Sequence, residues 1–310
     1  MGGQQINNDD VMDNAAIAAH KLQVKYLEPG NGKMIFVSTA GSDDNDGYSP
    51  QTAVKTFTQA LAIAAMRGDN MGDVIMALNT GTAYDLDDES GDTIVVNVDG
   101  IKIIGQGGNV KLTGKTTLNC IEITASDILI QGFNITAIGA AGAIIDIDEK
   151  TAAYDNIVIR NCKGTTAADG IKLLGASGLV LSNVLVEDCE FTASGITTAG
   201  AAIKIGVYVT DVTFSRCILR NSNAAAGYIL LISDTVTASA RLNFFDCVTV
   251  STHLDSTPIV NGSTGIIGVV QNCFLYGTTL AQSGTSLLWW CLTYHTAAAA
   301  DDGVLADPTP

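Results

Sequence analysis

"NIVIRNC" (Asn156–Cys162), "NVLVEDC" (Asn183–Cys189), "DVTFSRC" (Asp211–Cys217), "RLNFFDC" (Arg241–Cys247) and "IGVVQNC" (Ile267–Cys273) are one phrase written five times. Its cysteines stand 27, 28, 30 and 26 residues apart, a period that belongs to stacked, repeating architectures. Three residues before each cysteine is an apolar side chain (Ile159, Val186, Phe214, Phe244, Val270), and four of the five phrases carry another two positions earlier. This spacing reads as an alternating strand with its thiol in the core. The residue just before each cysteine is polar (Asn161, Asp188, Arg216, Asp246, Asn272) and is expected to face outward.

The frame extends beyond the cysteines. "DILIQGF" places Phe133 in the cysteine position, 29 residues before Cys162. A second strand-like column precedes the first in each period: "AIIDID" (Ala143–Asp148), "GIKLLG" (Gly170–Gly175), "AIKIGV" (Ala202–Val207) and "YILLIS" (Tyr228–Ser233). Two or more short strands per period, with no helical pattern between them, make each period one coil of a β-helix. A single coil cannot bury its own inner face, so coils stack about 4.8 Å apart around a continuous core.

Composition agrees with this. Across 310 residues, 47% are apolar but only 6% aromatic and 15% charged, so the core is built from small and β-branched side chains. With 16 Lys and Arg against 32 Asp and Glu, the net charge of −16 opposes contact with nucleic acid or an anionic membrane surface. The opening "MGGQQINNDDVMDNAAIAAHKL" lacks a basic region followed by an apolar run, and no apolar stretch is long enough for a membrane helix. The seven cysteines sit in hydrophobic runs without a CxxC pair and are expected reduced and buried. His20, His253 and His295 are far apart, so structural zinc is not expected.

The segment "FVSTAGSDDNDGYSPQTAVKTFTQALAIAAMRGDNMGDVIMALNTGTAY" poses a separate question, because "GSDDNDGYSP" (Gly41–Pro50) has a calcium-loop look. With Gly47 as the sixth position, Ser42, Asp44 and Asp46 fall where ligands belong, but the twelfth position is Ala53 instead of the required carboxylate. A polar turn leading into a helix is the better reading. Thr56 and Gln59 have capping-box spacing, and Phe57, Ala60, Leu61 and Ala64 share one helical face. Followed by "GDVIMAL" and "GIKIIGQGGNVKLTG", this opening resembles that of right-handed parallel β-helix proteins of the pectate-lyase-like superfamily, most like the phage virion-associated members. The resemblance spans roughly residues 34–294 and implies an all-β, right-handed, single-stranded parallel β-helix with an N-terminal capping helix. It specifies fold rather than activity.

The expected organisation is an N-terminal arm (1–33) with a short amphipathic helix over Asp10–Leu22, a cap leading into the β-helix (34–92), the β-helix (93–295) and a tail (296–310). For chemistry, the best line is the outward position of the second column: Asp146, Lys172, Lys204, Leu230 and Val260. Asp146 with Lys172 reads as a cross-coil ion pair. Asp169, in "ADGIKL", has no partner acid of the kind glycoside hydrolysis needs. Asp234 and Asp255 are isolated loop acids, and Trp289 and Trp290 are expected to close the last coil or pack on another subunit. Hence no catalytic, cofactor-binding or metal-binding residue is assigned, and no cofactor. The expected function is a structural virion protein of a phage, a capsid decoration or cement protein attached through its arm. Its expected partners are a capsid or other virion protein and two further copies in a homotrimer. The alternative is a polysaccharide lyase or hydrolase, including a tailspike depolymerase.

Overall fold

The computed structural model describes residues 32–115, 118–138, 142–148, 152–174, 179–194, 200–206, 208–222, 230–232, 240–251, 259–261, 266–277, 282–284, 289–291, 294–297 and 304–305. The arm before Gly32 with its expected Asp10–Leu22 helix, most of the tail, His20, His253, Asp234 and Asp255 lie outside the described residues.

The chain winds as a parallel β-helix with three sheets. A representative coil runs through Ile121–Ile123 in sheet C, Ile128–Gln131 in sheet A and Phe133–Ala137 in sheet B, then returns to sheet C at Ile145–Asp148. Sheet A has ten strands from Met34–Val37 to Trp289–Cys291. Sheet B has ten from Tyr84–Asp85 to Val304–Leu305, and sheet C eight from Ile94–Val96 to Gln282–Gly284. Each strand pairs in parallel with its counterpart one coil away; the exception is the closing strand Val304–Leu305, antiparallel to Tyr294–Ala297. The crossovers take the right-handed sense that twisted parallel strands favour.

Inside, like stacks on like. In sheet A one inward column reads Ile35, Ile75, Ile103, Ile130, Ile159, Val186, Phe214, Phe244 and Val270, all buried. Phe214 and Phe244 stack with ring centroids 4.9 Å apart. In sheet B the column runs Leu112, Ile135, Gly164, Phe191, Leu219, Thr249 and Leu275. Gly164 leaves a gap there that Ile144 fills from the start of the same coil: a Cβ on Gly164 would lie 2.4 Å from Ile144 Cδ1.

The repeated phrase is not one strand running through its cysteine. Ile157–Arg160 ends in sheet A, Cys162 follows the bend, and Lys163–Thr166 opens in sheet B. The residue before each cysteine forms the bend in the left-handed region, with φ of 50° at Asn161, 53° at Asp188, 52° at Arg216, 55° at Asp246 and 53° at Asn272. Gly132 takes the same place before Phe133, with φ of 84°. Asn, Asp and Gly tolerate this conformation best, which accounts for their prevalence here. The bend also resets the alternation. Ile159 and Cys162 are an odd number of positions apart, so an unbroken strand would put them on opposite faces, yet both are buried.

The six cysteines with described side chains are free and buried. Each thiol of the ladder points at carbonyls of the corner: Cys189 Sγ donates to the Glu187 carbonyl at 3.1 Å, and Cys273 Sγ to that of Gln271 at 3.2 Å. A small, weakly polar side chain suits this place, where corner carbonyls lie next to apolar neighbours.

Helix α1 (Phe57–Ala65) covers the open N-terminal end, burying Phe57, Ala60, Leu61 and Ala64 as its sequence pattern requires. Thr56 Oγ1 accepts the Gln59 N–H at 3.1 Å. The reciprocal half expected from Gln59 comes from elsewhere, since Asp43 Oδ1 accepts the N–H groups of Lys55 and Thr56, each at 2.9 Å. Buried Glu89 accepts the N–H groups of Phe57 at 2.8 Å and Thr58 at 2.7 Å. Two carboxylates at a helix N-terminus complement its partial positive charge. Asp46 accepts the Thr52 hydroxyl at 2.6 Å and the Tyr48 N–H at 3.1 Å, so "GSDDNDGYSP" folds its acids back on its own chain. Among the described residues no cluster of three metal-ligating side chains occurs.

Candidate functional site

The outward face of sheet C gathers the densest charge of the candidate residues. Strand pairing sets Glu122, Asp146, Lys172 and Lys204 in one column on successive coils. Asp146 is 2% exposed, and its Oδ2 accepts Asn119 Nδ2 at 2.7 Å and Lys172 Nζ at 3.2 Å. Asn119 is itself fixed, since its Oδ1 accepts the Ala143 N–H at 2.9 Å. One coil further, Asp169 Oδ1 accepts the Ala201 N–H at 3.0 Å while Oδ2 lies 3.8 Å from Lys204 Nζ. Asp146 and Asp169 are therefore each paired with a lysine from the next coil, and a buried carboxylate requires such a partner. The expected Asp146–Lys172 ion pair is present, and a second one, Asp169–Lys204, accompanies it.

The column continues differently from the sequence expectation. Leu231, not Leu230, stands opposite Lys204, and Val260 stands opposite Leu231; Leu230 pairs with Ile203, an inward position. The shift of one residue has a physical reason: "YILLIS" has apolar residues at four successive positions and offers no alternation to fix its register. Trp289 is in register with Val269 and Trp290 with Val270.

A second charged line follows the left-handed corner between sheets A and B. Arg216 bridges Asp188, at 2.7 Å and 2.9 Å, and Glu187 at 3.1 Å. The Arg216 hydrogen bonds hold the Asp188 carboxyl below its ordinary range. Glu190 is shared by Lys163, at 3.3 Å, and Arg220. On the outer side of sheet A, a shallow depression of ≈ 460 Å³ is lined by Asn183, Leu185, Asp211, Thr213, Arg241 and Asn243, with Arg241 paired to Asp211. Neither feature was singled out from sequence. The polar residues of the depression come from three coils, and only the coil register brings them together.

No family model matches the chain, and no curated protein matches it. Solved structures do. A pectin methylesterase from Aspergillus niger, in deglycosylated form, is 10% identical with a TM-score of 0.59, over 90% of this chain and 93% of that one. A rhamnogalacturonan lyase is 12% identical with a TM-score of 0.52, over 80% and 76% of the two chains. ORF18 of Geobacillus virus E2 is 11% identical with a TM-score of 0.40, over 94% and 64%. The first two likenesses, together with the coil geometry, establish the fold alone, a right-handed parallel β-helix.

Proposed function

We propose that the protein is a non-catalytic structural component of a phage particle, a capsid decoration or cement protein whose rigid β-helix is held on the larger assembly by residues 1–33. One observation carries this reading. Two acids and two bases of the candidate face are engaged with each other across coils, Asp146 with Lys172 and Asp169 with Lys204, so they tie the stack together. A general acid or base must instead reach a reacting group on a substrate. Acidic and neutral polysaccharides incubated with the full chain, with and without calcium, should yield no new reducing ends and no unsaturated products. Undecorated capsids should sediment with the full chain and not with a chain beginning at Lys33. Reproducible cleavage lost on changing Asp146, Asp169 or Lys172 overturns the reading.

The depression on sheet A favours a second reading, a polysaccharide-acting protein. Asn183, Asp211, Arg241 and Asn243 offer planar hydrogen-bonding groups beside Leu185, a combination suited to sugar hydroxyls and ring faces. Binding of a glycan that is lost in Arg241→Ala and Asn243→Ala supports this second reading.

A further inference from the structure

The outward face of sheet B changes character halfway along the helix. In register, one column presents Lys111, Asn134, Lys163 and Glu190 on successive coils. The next three coils present Ile218, Val248 and Phe274 in the same column. Backbone pairing then places Tyr294 and Leu305 at the two following positions. The adjacent outward column switches one coil later, from Thr136, Thr165, Thr192 and Arg220 to Val250 and Tyr276. Val248 is 37% exposed and Phe274 42% exposed. Single exposed apolar residues are ordinary, but a contiguous set in two neighbouring columns marks a contact surface.

We propose that this patch is the surface through which copies of the chain associate, side by side, over the C-terminal half of the β-helix. Electrostatics select a second copy as the occupant. The chain carries −16, so two copies repel wherever acids are exposed. The patch is uncharged, and at its boundary Glu190 is already neutralised by Lys163 and Arg220. A basic partner would be drawn to the acidic faces instead. In sheet C the residue type changes one coil later by register, with Lys204 followed by Leu231 and then Val260. Three coils span on the order of 10–15 Å along the axis. That is the size of an apolar interface centre, around which a polar rim completes the usual burial of about 800 Å² a side. This inference is independent of whether the chain belongs to a particle.

Sedimentation velocity and native mass measurement of the full chain, over a micromolar concentration series, test it. The wild type should be a homo-oligomer, and Val248→Lys with Phe274→Lys should give monomer. Thr136→Lys with Thr165→Lys, on the polar half of the same face, should leave the mass unchanged. Should the lysine pair fail to fold, as judged by circular dichroism, the milder Val248→Thr with Phe274→Thr is expected to raise the half-dissociation concentration at least tenfold. A wild type that is monomeric at every concentration, or an oligomer that persists unchanged in the folded patch variants, overturns the proposal.

Discussion

Replacing Thr249 with valine should stabilise the protein, although Thr249 is a fully enclosed polar residue. It stands in the inward column of sheet B between Leu219 and Leu275, is 2% exposed, and its hydroxyl has no hydrogen-bond partner among the described residues. Burying a hydroxyl without a partner costs about 1–3 kcal/mol in protein mutational data. Valine has nearly the same shape and is also β-branched, so the backbone and χ1 preferences are kept. The expected gain is therefore about 1–3 kcal/mol, seen in urea unfolding as a higher midpoint with an unchanged slope. Thr166 supplies the contrast. It faces inward on the same sheet and is 1% exposed, but its Oγ1 accepts the Ala168 N–H at 3.0 Å and lies 3.5 Å from the Gly142 carbonyl. Thr166→Val would orphan a buried N–H and should destabilise by about 1–2 kcal/mol. If both substitutions shift stability in the same direction, satisfaction of the hydroxyl does not govern these positions. A destabilised Thr249→Val alone would show that its hydroxyl has a partner.

Three further outcomes follow from the charged lines and the thiols. Lys172→Met should destabilise by roughly 1–3 kcal/mol, less than a fully buried pair because Lys172 is part exposed, and Asp146→Asn should recover part of that loss in a double-mutant cycle. Burial pushes the Cys120 thiol up to about 12, so at pH 8 almost no thiolate exists there, and Ellman's reagent should label it only as fast as the chain opens; labelling at the rate of a free thiol would contradict the packing. Because Arg216 depresses the folded-state Asp188 carboxyl, its contribution to stability is present above the ordinary aspartate value and fades as pH falls through the lower folded value. A carbon-detected NMR titration should find Asp188 below the usual range and Arg216→Ala should return it there.

The coil period was legible because the core demands it. Ile159, Val186, Phe214, Phe244 and Val270 must meet in one column, so the sequence repeats wherever the coil does. Helix α1 was legible for the same reason, as its four buried residues follow helical spacing. The candidate face was only half legible. Asp146 and Lys172 recur at the same place in their coils, but Asn119 and Asp169 reach their partners from turns whose lengths differ between coils. The apolar patch on sheet B is not legible in the repeated phrase, because Ile218, Val248 and Phe274 follow the cysteines on the far side of the bend that ends it.

That bend is where sequence and structure teach most. The odd spacing from apolar residue to cysteine conflicts with strand alternation, and the conflict is visible without coordinates. A left-handed residue at the polar position resolves it, and Asn, Asp and Gly are the residues that adopt this conformation at least cost. Arg216 is the departure, with no such local preference and a φ of 52°. Its guanidinium is held by Asp188 and Glu187 from the preceding coil, so tertiary ion pairs oppose the backbone cost at that corner. Arg216→Asn should then separate the two effects: it relieves the backbone while removing both ion pairs, so the two changes oppose each other and the net shift in stability should be small. Arg216→Ala loses the ion pairs without relieving the backbone, and should be the less stable of the two in thermal unfolding. If alanine matches or exceeds asparagine at this position, the left-handed bend does not select the residue before the cysteine.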